Sequence, residues 1–173
     1  MVRTTLSALL GGGDRRSIGR ANQVADLVLR QPHRALQLVK CMWSDDAVVR
    51  MRAADAAEKV SRKKPRAFRR FIPALLGLAD ETAQIELRWH LALMIPRLDL
   101  SSAERSRAFA LFKEYLLDRS SIVKTFALQA LTELAVEDQE MRLEVAQLLE
   151  RASRKGTPAM RARARKLSSR LHE

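Results

Sequence analysis

A chain of 173 residues, 47% hydrophobic and 30% charged, is long and apolar enough for one domain and is not compositionally disordered. Aromatics at 5%, with only 6 Gly and 5 Pro, argue against a turn-rich β-protein and for an all-helical one. The formal charge of +12 favours a polyanionic partner, whether DNA, RNA, an acidic protein or anionic lipid, and the lone Cys41 excludes an intrachain disulfide.

The opening MVRTTLSALL has too short an apolar part for a secretory signal, and no apolar run reaches the ~20 residues of a membrane span. With Cys41 read as a small apolar residue on a helix, a cytoplasmic protein without membrane insertion is expected. TTLSALL predicts a short helix ended by Gly11–Gly13. Asp14 or Ser17 then starts a helix through Val24, Ala25, Val28 and Leu29 to Gln31, so residues 1–31 form N-terminal capping helices. The stretch GGGDRRSIGRAN fails as a nucleotide motif. Gly13 and Gly19 enclose five residues rather than four, Arg20-Ala21 follow instead of Lys and Ser or Thr, and no strand precedes. Two readings of it remain: a mechanical helix stop and start, or an anion site on Arg15, Arg16 and Arg20 beside helix N–H groups.

Residues 32–173 repeat. VRMRAADAAEKV from Val49, IELRWHLALMIP from Ile85, VKTFALQALTEL from Val123 and MRARARKLSSRL from Met160 are offset by 36, 38 and 37 residues. Their columns read Val49, Ile85, Val123, Met160; Ala53, Trp89, Ala127, Ala164; Ala56, Ala92, Ala130, Leu167; and Val60, Pro96, Leu134, Leu171. Spacing of i, i+4, i+7, i+11 is one helix face. Each is preceded by another apolar helix, carrying Leu36, Leu38, Val39 and Met42, then Phe71, Ile72, Leu75 and Leu76, then Phe109, Phe112, Tyr115 and Leu116, then Val145, Leu148 and Leu149. SSAE at Ser101–Glu104 is a capping box, GTP at Gly156–Pro158 a Thr cap with Pro in the first turn, and Asp45, Asp80 and Asp118 or Ser120 precede the second helices. Four helix pairs of about 37 residues, with the N-terminal cap, predict an all-α, right-handed superhelix of four to five hairpins.

SDDAVVRMRAADAAEKV and DRSSIVKTFALQALTEL resemble HEAT repeats, and the resemblance spans about Gln31 to Leu171. The whole chain is similar to small bacterial HEAT-like proteins. The resemblance implies an inter-repeat ladder of Asp and Arg, for which Asp46 with Arg52 and Asp118 with Lys124 have suitable spacing. Glu86 stands where Arg50 and Lys124 do, so the ladder is expected to break in the second repeat.

Candidate binding residues fall in two basic runs. The first carries Lys59, Arg62, Lys63, Lys64, Arg66, Arg69 and Arg70 with no acid between them; the second carries Arg151, Arg154, Lys155, Arg161, Arg163, Arg165, Lys166 and Arg170. Each reads as a solvated surface or as a phosphate-backbone contact, without an aromatic platform for single strands. Trp89, between Arg88 and His90 in an alanine column, is either a core filler or a groove-lining residue. Arg52, Arg88 and Arg163 share a column broken by Phe126. His33, His90, His172 and Cys41 have no metal-ligand spacing, Asp45-Asp46 read as caps, and no cofactor or small-molecule substrate is indicated. The expected function is a non-catalytic scaffold for an acidic protein, with nucleic-acid binding through residues 59–70 and 151–170 as the alternative. A third reading rests on bacterial alkylpurine DNA glycosylases, which are HEAT-like enzymes, but no catalytic motif of theirs maps onto Trp43, Trp89 and the acids here.

Overall fold

A residue that caps a helix fixes where that helix's faces begin, and four caps set the register of this chain. The computed structural model describes residues 5–14 and 16–171; among them are ten α-helices, three 3-10 helices and no strand. The helices are α1 (Leu6–Leu10), α2 (Ala21–Arg30), α3 (Ala35–Cys41), α4 (Ala47–Lys63), α5 (Ile72–Glu81), α6 (Ile85–Met94), α7 (Ser102–Tyr115), α8 (Ser121–Leu134), α9 (Gln139–Lys155) and α10 (Pro158–Leu171). The 3-10 helices Pro32–Arg34 and Pro65–Phe71 begin on a proline, whose missing N–H costs nothing in a first turn, and lead into α3 and α5. Ile95–Arg97 continues α6 where Pro96 interrupts it.

The helices pair along the chain, α1 with α2 through α9 with α10, and the second helices stack in order: α2 on α4, α4 on α6, α6 on α8, α8 on α10. Among the first helices α1 touches α3 and α5 touches α7. One continuous apolar core runs from Leu6 to Leu171. No helix among the described residues is long and apolar enough to cross a membrane.

Several start signals are as the sequence indicates. Ser101 and Glu104 form the reciprocal capping box, and the Thr157 hydroxyl accepts from the Met160 amide at 3.4 Å. Others differ. Asp46, not Asp45, caps α4, accepting from the Val48 amide at 2.8 Å. Asp80 lies inside α5, and the cap position of α6 is Gln84; Ser120, one of the two residues expected before α8, does take its cap position.

Counted from Asp46, Gln84, Ser120 and Thr157, the offsets become 38, 36 and 37 residues. The second repeat therefore sits two residues further on than sequence comparison places it. Its column residues are Leu87, Leu91, Met94 and Leu98, all buried, in place of Ile85, Trp89, Ala92 and Pro96. Ile85 is 46% exposed. The physical reason is the run Leu91–Ile95, apolar at every position, in which hydrophobic period carries no phase.

Ala127 sits at the centre of α8 with no exposed surface. Ala127→Asp puts an unpaired charge there and is expected to lower stability by about 3–5 kcal/mol, whereas Ala110→Asp, on the exposed side of α7, stays within about 0.5 kcal/mol. Chemical denaturation of the two variants checks this; equal losses would refute the register.

Candidate functional site

The glycine-rich loop closes around a side chain from α4. Arg52 is 2% exposed, and its guanidinium donates to four backbone carbonyls. Nε reaches Ser17 O at 3.0 Å, Nη1 reaches Leu10 O at 2.8 Å and Gly12 O at 2.6 Å, and Nη2 reaches Asp14 O at 2.8 Å. A planar fork of donors suits such a ring of acceptors. Gly12, Gly13 and Gly19 have φ of +72°, +74° and +52°, which lets the chain turn this tightly. A Cβ on Gly19 would lie 2.8 Å from Arg52 Cζ.

This geometry leaves the interior of the loop to Arg52. A phosphate cradle aims N–H groups inward. Here carbonyls point inward, and the chain's own cation fills the space. The amides of Arg16 and Gly19 bond to Asp14 Oδ1 and Ser17 Oγ at 2.9 and 3.0 Å, and Ser17 N bonds to Asp14 O. Asp14 and Ser17 are thus turn formers and not caps; α2 starts at Ala21 without a side-chain cap. Arg16 and Arg20 are exposed, and Arg15 lies outside the described residues, as does His172.

Two further arginines join successive hairpins. Arg50 Nε donates to Gln84 Oε1 at 2.8 Å and its Nη1 to Ser44 O and Asp45 O; Gln84 Nε2 donates to Ala47 O at 3.0 Å. Arg88 donates to Thr82 O at 2.7 Å and pairs with Asp118. Arg50 and Arg88 both stand four residues after a cap, so the second repeat carries the ladder residue after all. Arg52 and Lys124 are not the partners the spacing suggested. The column six after the cap reads Arg52, His90, Phe126, Arg163, with Arg88 outside it.

Across α4, α6, α8 and α10 that column and its neighbours form a strip. Trp89, partly buried, stacks on His90 at 3.4 Å and on Phe126 at 5.5 Å between centroids. Arg163 lies 5.4 Å from the Phe126 ring centroid and donates to Gln129 Oε1 at 2.8 Å. His90 Nε2 sits 3.5 Å from Asp55 Oδ1, an electrostatic contact too long for a hydrogen bond, while Lys59 Nζ meets Asp55 Oδ2 at 2.6 Å. Burial pushes the Asp55 carboxyl up, but His90 and Lys59 outweigh it and hold the group below its usual range. The acid beside His90 is therefore held by Lys59 through Oδ2.

The first basic run is partly structural. Glu58, its side chain 3% exposed, lies between Arg62 Nε at 2.8 Å and Arg97 Nη1 at 2.6 Å. Burial raises its carboxyl; the two guanidinium groups reverse this and hold it below the usual 4.5. Arg69 pairs with Glu104 at 3.0 Å, Lys64 donates to Leu29 O at 2.9 Å, and Arg70 covers the Phe71 ring. Lys63 and Arg66 are exposed. In the second run Arg154 pairs with Glu150, while Arg161, Arg165, Lys166 and Arg170 are exposed on α10. Among the described residues no three or more His, Cys, Asp or Glu gather to hold a metal ion.

Gly19→Ala, which combines left-handed strain with the Arg52 contact, is expected to cost about 2 kcal/mol or more; Gly12→Ala, with nothing within 4 Å, costs only the strain of about 1 kcal/mol. Denaturation curves that reverse this order would refute the cage. Arg97→Met leaves the buried Glu58 carboxylate on Arg62 alone and is expected to cost about 2 kcal/mol at neutral pH. Because the folded Glu58 value is lowered, its contribution is present above 4.5 and is lost as pH falls through the folded value. The wild-type–variant difference therefore shrinks as pH falls below 4.5, and a pH-independent difference would contradict the pairing.

No protein-family model and no curated protein sequence matches the chain. A crystal structure of an engineered protein, target OR329 of the Northeast Structural Genomics Consortium, is similar to it, with a TM-score of 0.67 at 16% sequence identity, over 96% of this chain and 78% of that one. At that identity the likeness concerns the fold alone.

Proposed function

We propose that the stacked hairpins are HEAT-like repeats in a right-handed α-solenoid, capped by α1 and α2, and that the protein is a non-catalytic cytoplasmic scaffold for an acidic protein partner. The even cap spacing, the ordered stacking of second helices and the Arg50 and Arg88 ladder support the repeat reading.

One observation carries the choice of partner: basic side chains are interleaved with carboxylates. Glu58 joins Arg62 and Arg97, Arg69 meets Glu104, Arg105 meets Glu137, and Lys113 meets Glu144. A nucleic-acid backbone calls for an unbroken cationic track, because affinity comes from phosphates neutralised in sequence. Protein partners tolerate a mixed surface, where charge complementarity sets register and rate. A second reading, nucleic-acid binding, draws on α10, which has no acid between Pro158 and Leu171. The glycosylase-like reading draws less support, since Asp55 is already paired.

Anisotropy of labelled duplex DNA and single-stranded RNA tests the choice. Weak binding at low salt that disappears near ~0.15 M is expected. Tight binding at physiological salt with a steep salt slope would replace the scaffold by the nucleic-acid reading, and charge reversal at Lys63, Lys64 and Arg66 would then locate the track.

A further inference from the structure

The repeat changes character between α8 and α10. Two and five residues after the cap, α6 carries Glu86 and Trp89, and α8 carries Ile122 and Thr125. At the same positions α10 carries Ala159 and Ala162, both exposed. The missing bulk opens a furrow of about 570 Å³ whose walls include Ile122, Phe126, Ala159 and Ala162, and it leaves Ile122 42% exposed. A second lobe of about 390 Å³, separate from the first, lies toward the C-terminal ends of α8 and α10, against Val136, Leu167 and Leu171, with Arg142 of α9 on its wall.

Cations run along one wall. Arg163, Lys166 and Arg170 stand at i, i+3 and i+7 of α10, one helix face that extends about 10 Å along the furrow. Arg163 and Lys166 line the first lobe, and Arg170 lines the second. Arg163 is oriented by Gln129, whose Nε2 donates to Glu133 Oε1 at 2.8 Å. Glu133 is the carboxylate of the facing wall, and it is tied into that chain. Among the described residues Lys166 and Arg170 pair with no carboxylate.

We propose that the α8–α10 furrow is the docking site for an acidic protein segment that seats apolar side chains in the two lobes and sets its carboxylates on Arg163, Lys166 and Arg170. This rests on the scaffold reading and names its surface. The occupant follows from complementarity. An apolar floor rejects a bare phosphate backbone, and a row of cations over two helical turns matches carboxylates repeated every three or four residues on an amphipathic segment.

The test selects random displayed peptides, about four helical turns long, on the intact protein at physiological salt. Affinities of the enriched peptides are then measured against wild type, a Lys166→Glu/Arg170→Glu variant, Ala162→Trp, and a Lys63→Glu/Arg66→Glu control on the other basic run. Enriched peptides are expected to carry Asp or Glu at helical spacing among apolar residues. The two α10 variants should each weaken binding by about tenfold or more, while the control stays within about twofold. The substituted positions are exposed, so thermal melts should match wild type. Acidic peptides weakened by the control and not by the α10 variants would overturn the furrow and leave the scaffold standing. A pool without acidic bias, an empty pool, or displacement of the peptides by duplex DNA at physiological salt would overturn both.

Discussion

A second helix in the middle of this chain is covered on two sides by other second helices and on a third by its own first helix. That demand fixes most of what α4, α6 and α8 contain. Seven residues after the cap the stack has Ala53, Leu91, Ala127 and Ala164, all buried. Small side chains there allow close approach of the axes, and the larger Leu91 stands where Trp89 and His90 pack alongside. Polar side chains are pushed to the helix ends and to the one remaining face. There they find partners in the next hairpin, because that is the nearest structure with unmet acceptors.

The same demand explains where so many cations go. Arg52 is almost wholly enclosed, yet its guanidinium meets four carbonyls of a loop that has no strand or helix to satisfy them. Loop and arginine solve each other's problem: a buried charge needs acceptors, and tightly turned backbone needs donors. Glu58 with Arg62 and Arg97 works alike between α4 and the end of α6. A formal charge of +12 is thus a poor guide to the charge offered to a partner, since several arginines belong to the assembly itself.

Helix content, hairpin order and the cap at Ser101 were legible because they depend on local chemistry and a period of 3.6 residues. The phase of the second repeat was not. Ile85 at the start of α6 imitates a core residue, and Leu91–Ile95 hides the true one, so only the turn at Thr82–Gln84 decides, where Thr82 Oγ1 accepts from the Gln84 amide at 3.2 Å. The Arg52 cage was hidden for another reason. Its partners lie 35 to 42 residues away, and carbonyls leave no residue-type signature. One clue was present, an arginine beside core alanines at Ala53 and Ala54, which had to find buried acceptors somewhere. Of the candidate site residues, those with long-range structural partners (Lys64, Arg69, Arg88 and Arg163) could not be separated by sequence from the exposed Lys63, Arg66 and Arg70.

Repetition itself sharpens what is left. Where α6 and α8 place bulk and α10 places alanine, packing within the stack does not require the change, because Ala159 and Ala162 are exposed. Solubility of a helix requires polar residues on its exposed side, and Arg161 and Arg165 supply them on α10. It does not require that Arg163, Lys166 and Arg170 line up beside Ile122 and Phe126, nor that acids be absent from the whole of α10. Mixed charges would serve a solvated surface better, through i,i+4 pairs such as Arg154 with Glu150 on the preceding helix. A uniform row of cations over an apolar trough raises the energy of the unbound surface, and a complementary anionic segment removes both the repulsion and the exposed apolar area.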